Sequence, residues 1–193
     1  MTSNIENRLA FLREAEQLKN VLRSGHTSQG RNESTAEHTW RLCLMAMTFE
    51  DEFTKLDMLK VLKLCVVHDL GEAISGDVPA VSLQQFPNKS EQERTDMLQL
   101  TEGLDAPLKE SIMSLWEEYE AGSTPEAKAV KAMDKLETIL QHTQGQNPPD
   151  FDYKFNLTYG DKYTNSDPLF WAIREVIDKD TRRRMDTNSG TSQ

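Results

Sequence analysis

Wherever apolar residues gather in this chain they return at three- and four-residue intervals, and no convincing run alternates apolar with polar as a half-buried strand would. A chain patterned in this way buries its apolar stripes by packing helix on helix. At 193 residues, 37% of them hydrophobic, it is long enough for one core and has the length of a single domain. The expectation is an all-α fold, a compact single-domain helical bundle over residues 1–185, with 186–193 as a disordered tail.

Ile5, Leu9, Leu12, Leu18 and Leu22 mark an opening helix that ends near Ser24-Gly25. Ser34-Thr35-Ala36-Glu37 has the capping-box pattern, which starts a second helix running to about Phe53. Its apolar residues, among them Trp40, Leu42, Leu44 and Met47, lie on more than one face, as in a central helix. Asp57 caps a third helix, Met58 to about Ala73, striped by Leu59, Leu62, Val66 and Leu70 and widened by Val61, Leu64 and Cys65. A second capping-box match, Ser90 to Glu93, starts a more polar helix. Leu108, Ile112, Leu115, Trp116 and Tyr119 form an amphipathic stripe that Gly122 ends. Thr124-Pro125-Glu126 opens the next helix, with Val130, Met133, Leu136 and Leu140 on its apolar side. A loop from Gln146 to Ser166 precedes a last helix begun by Asp167-Pro168 and frayed after Arg184.

With 22 basic against 32 acidic residues the chain carries a net charge of -10, which repels a polyanion and argues against a nucleic-acid partner. No apolar stretch approaches the length of a membrane span, and the first residues carry no basic-then-apolar signal, so a cytoplasmic protein is expected. Cys43 and Cys65 sit inside apolar helical runs and read as packing residues.

The third helix carries His68, Asp69 and Glu72 after its apolar run, and separations of four and three residues put Glu72 beside the other two. Ionisable groups on such a patch must be hydrogen-bonded to partners or coordinate a cation. A His-Asp pair alone is common by chance. Two other helices that read as buried each place a metal-competent side chain inward, His38 near the start of one and Asp134 in the middle of the other. For Asp134 the alternative is a salt bridge to Lys131 or Lys135.

The order His38, His68-Asp69, Asp134 resembles the H…HD…D signature of the HD-domain metal-dependent phosphohydrolases. STAEHTWRL, VVHDLGEAISGDVPA and LWEEYEAGSTPEAKAVKAMDKLETIL are similar to the branch of the bacterial 5'-deoxynucleotidases and their eukaryotic relatives, over residues 15 to 145. The resemblance implies an HD-type bundle, a nucleotide-like substrate, and His38, His68, Asp69 and Asp134 as ligands of one divalent transition metal. Two imidazoles and two carboxylates suit Mn, Fe, Co, Ni or Zn. Two-metal members of the superfamily use further histidines between Asp69 and Asp134, where this chain has none. The catalytic candidates are Glu72, as proton handler, and Asp77, which by resemblance assists it and lines the nucleotide pocket with Val78, Pro79 and Ala80. As a turn residue, Asp77 could instead bond its own backbone. Arg23, fifteen residues before His38, stands where similar enzymes place a phosphate-orienting arginine, and Arg31 is a second phosphate candidate. A solvated cation near a helix end is the alternative for Arg23.

Those deoxynucleotidases place a tryptophan directly after the arginine, crowding the sugar 2' position, whereas this chain has Ser24, so ribonucleotides are expected to be tolerated. A pyrophosphohydrolase of the same superfamily would use a Glu-Asp pair at Glu72, which Ala73 breaks. A module that keeps the metal as a structural cross-link is the non-catalytic alternative. Similar proteins are dimers, and Phe170, Trp171 and Ile173 could serve an interface or cover the core.

Overall fold

The computed structural model describes residues 2–190. Its helices are α1 (Thr2–Ala15), α2 (Thr35–Thr48), α3 (Met58–Val67), α4 (Glu72–Ser75), α5 (Lys89–Leu100), α6 (Ala106–Ala121), α7 (Pro125–Gln144), α8 (Tyr153–Asn156), α9 (Asp161–Thr164) and α10 (Pro168–Gly190). One antiparallel pair, β1 (Leu22–His26) with β2 (Asn32–Ser34), is added to this all-helical frame. Among the described residues no helix is long and apolar enough to cross a membrane.

Local chemistry sets several boundaries as expected. Ser34 Oγ accepts from Glu37 N at 3.3 Å while Glu37 Oε2 accepts from Ser34 N at 2.9 Å, a reciprocal box that starts α2. Thr124 caps α7 with Pro125 in its first turn, and Gly122 ends α6 in the left-handed conformation at φ 56°. The core gathers around α7, whose Val130, Met133, Leu136 and Ile139 are fully buried against α2, α3, α6 and α10. A second cluster joins Leu18, Leu70, Met97, Met113 and Trp116.

Elsewhere tertiary contacts override the local pattern. The opening helix ends at Ala15, and Leu22, Arg23 and Ser24 are strand. This strand pairs with β2, and Gly25 in it packs so closely on α7 that a Cβ there would lie 3.0 Å from His142 Cδ2. The apolar stripe of α1 is not buried, with Ile5, Leu9 and Leu12 all exposed. α2 stops at Thr48, short of Phe53, and a 3-10 turn follows.

The third helix stops at Val67 and resumes as α4 after a tight turn. Hydrogen bonds there span three residues, Leu70 N to Val67 O at 3.1 Å and Glu72 N to Asp69 O at 3.0 Å. Gly71 permits the close approach of α5, since a Cβ would sit 3.0 Å from Glu93 O. The stripe assigned to the core on this helix is reversed in part, because Leu59 and Val66 face outward with Trp40, Leu44 and Met47 of α2. α5 begins after Asn88 without a side-chain cap, and Ser90 Oγ donates instead to Glu120 at 2.9 Å. α8 and α9 occupy the segment expected to be loop, and α10 continues through residues 186–190, with 191–193 outside the described residues.

Candidate metal centre and active site

α2 delivers His38, the end of α3 delivers His68 and Asp69, and α7 delivers Asp134. His38 Nε2 lies 3.2 Å from Asp134 Oδ1 and 3.8 Å from Asp69 Oδ2, and His68 Nε2 lies 2.9 Å from Asp69 Oδ2. One ligand atom each from His38, His68 and Asp69 falls within 4.8 Å of the others, and Asp134 joins them through His38. Both Nε2 atoms are buried without a hydrogen-bond partner. Each imidazole is held from its other side, His38 Nδ1 by Glu137 Oε2 and His68 Nδ1 by the carbonyl of Cys65 at 2.8 Å. The Nδ1 hydrogens are thereby spoken for, and both Nε2 atoms face the carboxylates, where each offers a lone pair once it is free of a proton, an arrangement that fits a divalent transition metal. Burial and Arg23 push the His38 pKa down, but Glu137 and Asp134 outweigh them and lift it to about 10. A cation binding here therefore displaces a proton.

Asp134 has the ion pair that its sequence context allowed, with Lys135 Nζ at 2.8 Å from Oδ2, and Tyr119 Oη donates to the same oxygen at 2.8 Å. Its other oxygen remains turned to His38. Burial would raise the pKa of Asp69, yet His68 and His38 hold it well below the usual carboxylate range. Asp69 thus stays an anion.

His68, Asp69 and Asp134 sit on the wall of a cavity of about 350 Å³, within the range of small-molecule sites, while His38 is fully buried and does not line it. Glu72, Asp77, Val78, Pro79, Ala80, Arg23 and Ser24 line it as well. Glu72 is buried. Its Oε2 accepts from Thr35 Oγ1 at 3.2 Å, and Lys89 Nζ stands 3.5 Å from Oε1. Burial, with Asp69 and Asp77 nearby, raises its pKa to about 9, so it holds a proton at neutral pH. Burial also raises Asp77.

Arg23 is aimed inward from β1, with Nη1 3.4 Å from Asp69, Nη2 donating to Thr138 Oγ1 at 2.9 Å, and Nε 3.5 Å from Glu33. Arg31 is not brought to the cavity. It pairs with Glu37 on the outside, where its fork reinforces the capping box and holds Glu37 down at about pKa 2.

Three residues at the centre went unread in the sequence. Glu137 spans His38 and Arg41, whose Nε donates at 2.5 Å to Glu137 Oε1, and its place three residues after Asp134 on the same helix was the available signal. Glu33 joins His38 and Glu137 in a second acidic group, partnered by Arg23. Lys89 reaches Glu72 from α5 and had no local signature.

The HD domain family matches residues 15–173. The 5'-deoxynucleotidase HDDC2 of Danio rerio is 38% identical over 139 residues, covering 71% of this chain and 68% of that protein. The protein of the same name from Homo sapiens is 38% identical over 138 residues, 70% and 67% of the two chains. The crystal structure of a predicted metal-dependent phosphohydrolase from Magnetospirillum magnetotacticum MS-1 matches with a TM-score of 0.77 at 25% identity, covering 94% of this chain and 97% of that one.

Proposed function

Because the chain belongs to the HD-domain family, we propose that it is a metal-dependent 5'-nucleotidase releasing phosphate from nucleoside 5'-monophosphates, with one divalent ion held by His38, His68, Asp69 and Asp134. The observation that carries this reading is the pair of buried, unpartnered imidazole nitrogens converging with Asp69, which with His68 lines a cavity that also holds Arg23 and Glu72. Mn, Co, Fe, Ni and Zn all suit the donor set. Bound there, the ion supplies Lewis-acid polarisation of the phosphate and acidifies water.

The chain's own groups account for the rest. Arg23 offers a guanidinium fork to the phosphate oxygens while Thr138 and Glu33 fix its plane. Glu72 keeps a proton at neutral pH beside Asp69, ready to give it to the departing 5'-oxygen and to recover one from water. Asp77, Val78, Pro79 and Ala80 form the wall that excludes solvent from the sugar, and Ser24 leaves room for a 2'-hydroxyl. The nucleotidases similar to this chain are named for deoxynucleotides, and ribonucleotides are proposed as additional substrates here.

The test is phosphate release from ribo- and deoxynucleoside mono- and triphosphates with Mn, Co, Ni, Zn and Mg compared. Release from 5'-monophosphates with a transition metal is expected. No release from any monophosphate with any metal would overturn the reading.

We also propose that the protein acts in the cytoplasm as a homodimer. Trp40, Leu44 and Met47 recur at helical spacing on the outer side of α2, and Leu59 and Val66 do so on α3, exposure that is costly without a partner. Phe170, an earlier interface candidate, is buried in the core, while Trp171 is half exposed. Light scattering should show a dimer that Trp40→Glu converts to monomer.

A further inference from the structure

One face of α7 measures the cavity. Asp134, Thr138 and His142 follow one another at four-residue steps, so they lie along a line of about 12 Å, at 1.5 Å per residue. Asp134 is at the metal centre, and Thr138 marks where Arg23 waits for phosphate. His142 lies one turn farther on, and all three line the same cavity.

Around His142 the cavity changes character. Phe151 stands edge-on to the imidazole with ring centres 4.8 Å apart, and Phe155 lines the wall beside it. Phe155 lies on α8, whose end is clamped from α10, where Arg174 donates to the carbonyls of Asn156 at 2.6 Å and, beyond the helix, of Tyr159 at 2.7 Å. The backbone next to Phe155 is thereby held.

The polar atoms here are incompletely used. His142 Nδ1 is 2.9 Å from Asn156 Oδ1, and that amide oxygen can only accept, so Nδ1 carries the hydrogen and Nε2 is an acceptor. Burial keeps the ring neutral, its pKa lowered to about 4. Among the described residues Nε2 has no hydrogen-bond partner, and Asn156 Nδ2 is fully buried without one. Gly25 borders this edge of the imidazole, where a Cβ would lie 3.3 Å from Nε2.

We propose that His142, Phe151 and Phe155 form the nucleobase subsite of the cavity, the phenyl rings taking the face of the base and His142 Nε2 accepting an N–H from its edge. The inference rests on the nucleotidase reading for the phosphate end, and adds where the far end of the substrate lies. Its distance from Asp134 along α7 is that of a nucleoside monophosphate stretched from phosphate to base edge. The segment carrying the rings lies beyond residue 145, outside the stretch in which the signature motifs fall.

The experiment compares the metal-loaded protein with His142→Ala and Phe155→Ala on a nucleoside 5'-monophosphate and on deoxyribose 5-phosphate, which has no base. The ratio of kcat/KM for the two substrates is expected to fall about tenfold in each variant, carried by KM, as removal of a base-stacking ring does elsewhere. His142→Gln, which retains an acceptor oxygen, should recover part of the ratio. Equal losses on both substrates would make these side chains packing residues and overturn the assignment, as would an unchanged ratio. Should the wild type release phosphate from no monophosphate, the nucleotidase reading falls and the subsite is judged on unphosphorylated nucleosides by equilibrium dialysis. Binding that weakens in His142→Ala supports it, and absence of binding overturns it.

Discussion

Glu137 offers the sharpest test of how the metal centre is held. It is fully buried, accepts from His38 Nδ1, and is anchored behind by Arg41, which itself reaches Gln144 at 3.0 Å. A carboxylate behind a ligating imidazole fixes both its tautomer and its orientation, and loss of such a partner typically costs 10- to 100-fold in metal affinity. Glu137→Gln keeps the volume but can satisfy only one of its two cationic neighbours with its single acceptor oxygen. The expected loss is therefore about 1.4–2.8 kcal/mol of metal binding, one to two decades. An opposing effect must be counted. Glu137 also raises His38, so removing it relieves competition from protons. That relief shrinks as pH rises toward 10, whereas the loss of orientation does not, so the deficit of Glu137→Gln should be larger at pH 9 than at pH 7. Chelator competition with Zn or Mn at the two pH values measures both. Glu137→Ala adds an unpaired Arg41 and a cavity, and the apoprotein should lose about 3 kcal/mol in urea unfolding. Metal affinity of Glu137→Gln within twofold of wild type at both pH values would refute the reasoning.

Glu72→Gln should retain wild-type metal content while phosphate release falls by about 10²- to 10⁴-fold, and a loss of metal would instead make Glu72 a ligand. Ser24→Trp should lower the ratio of ribo- to deoxynucleotide kcat/KM by about tenfold in a substrate panel, and an unchanged ratio would place residue 24 away from the sugar. His142 has a folded pKa of about 4 against an ordinary 6.5, so the stability it contributes is present above pH 6.5 and is lost as pH falls through 4. That window corresponds to about 3 kcal/mol, and urea unfolding at pH 7 and pH 4.5 should show a smaller acid loss for His142→Gln than for wild type. Equal losses would show that the imidazole is not held neutral.

What could be read in the chain, and what could not, divides by how far apart the deciding residues are. The box at Ser34 and Glu37, Thr124-Pro125 and Gly122 each decide a helix end within a few residues, and each appears where local chemistry puts it. The metal-ligating candidates were legible for a related reason, because buried helices must account for any ionisable side chain they carry, and His38, His68 and Asp134 are such side chains. The strand at Leu22–His26 was not legible. Its partners are remote in sequence, β2 alongside and His142 of α7 against Gly25, and the leucine spacing that suggests a helix there is misleading because Leu22 is exposed. The break after Val67 likewise lies beside a remote contact, Gly71 meeting the backbone of α5 at Glu93. Trp40, Leu59 and Val66 show that apolar residues around a helix need not mean burial within one chain. The far end of the cavity was hardest to foresee, since Phe151 lies in a loop and Phe155 in a one-turn helix too short to have a period, in a segment that Arg174 ties to α10 through the carbonyls of Asn156 and Tyr159. The metal-ligating candidates lie on helices that can be recognised, whereas the far wall of the cavity comes from segments whose position only the folded chain decides.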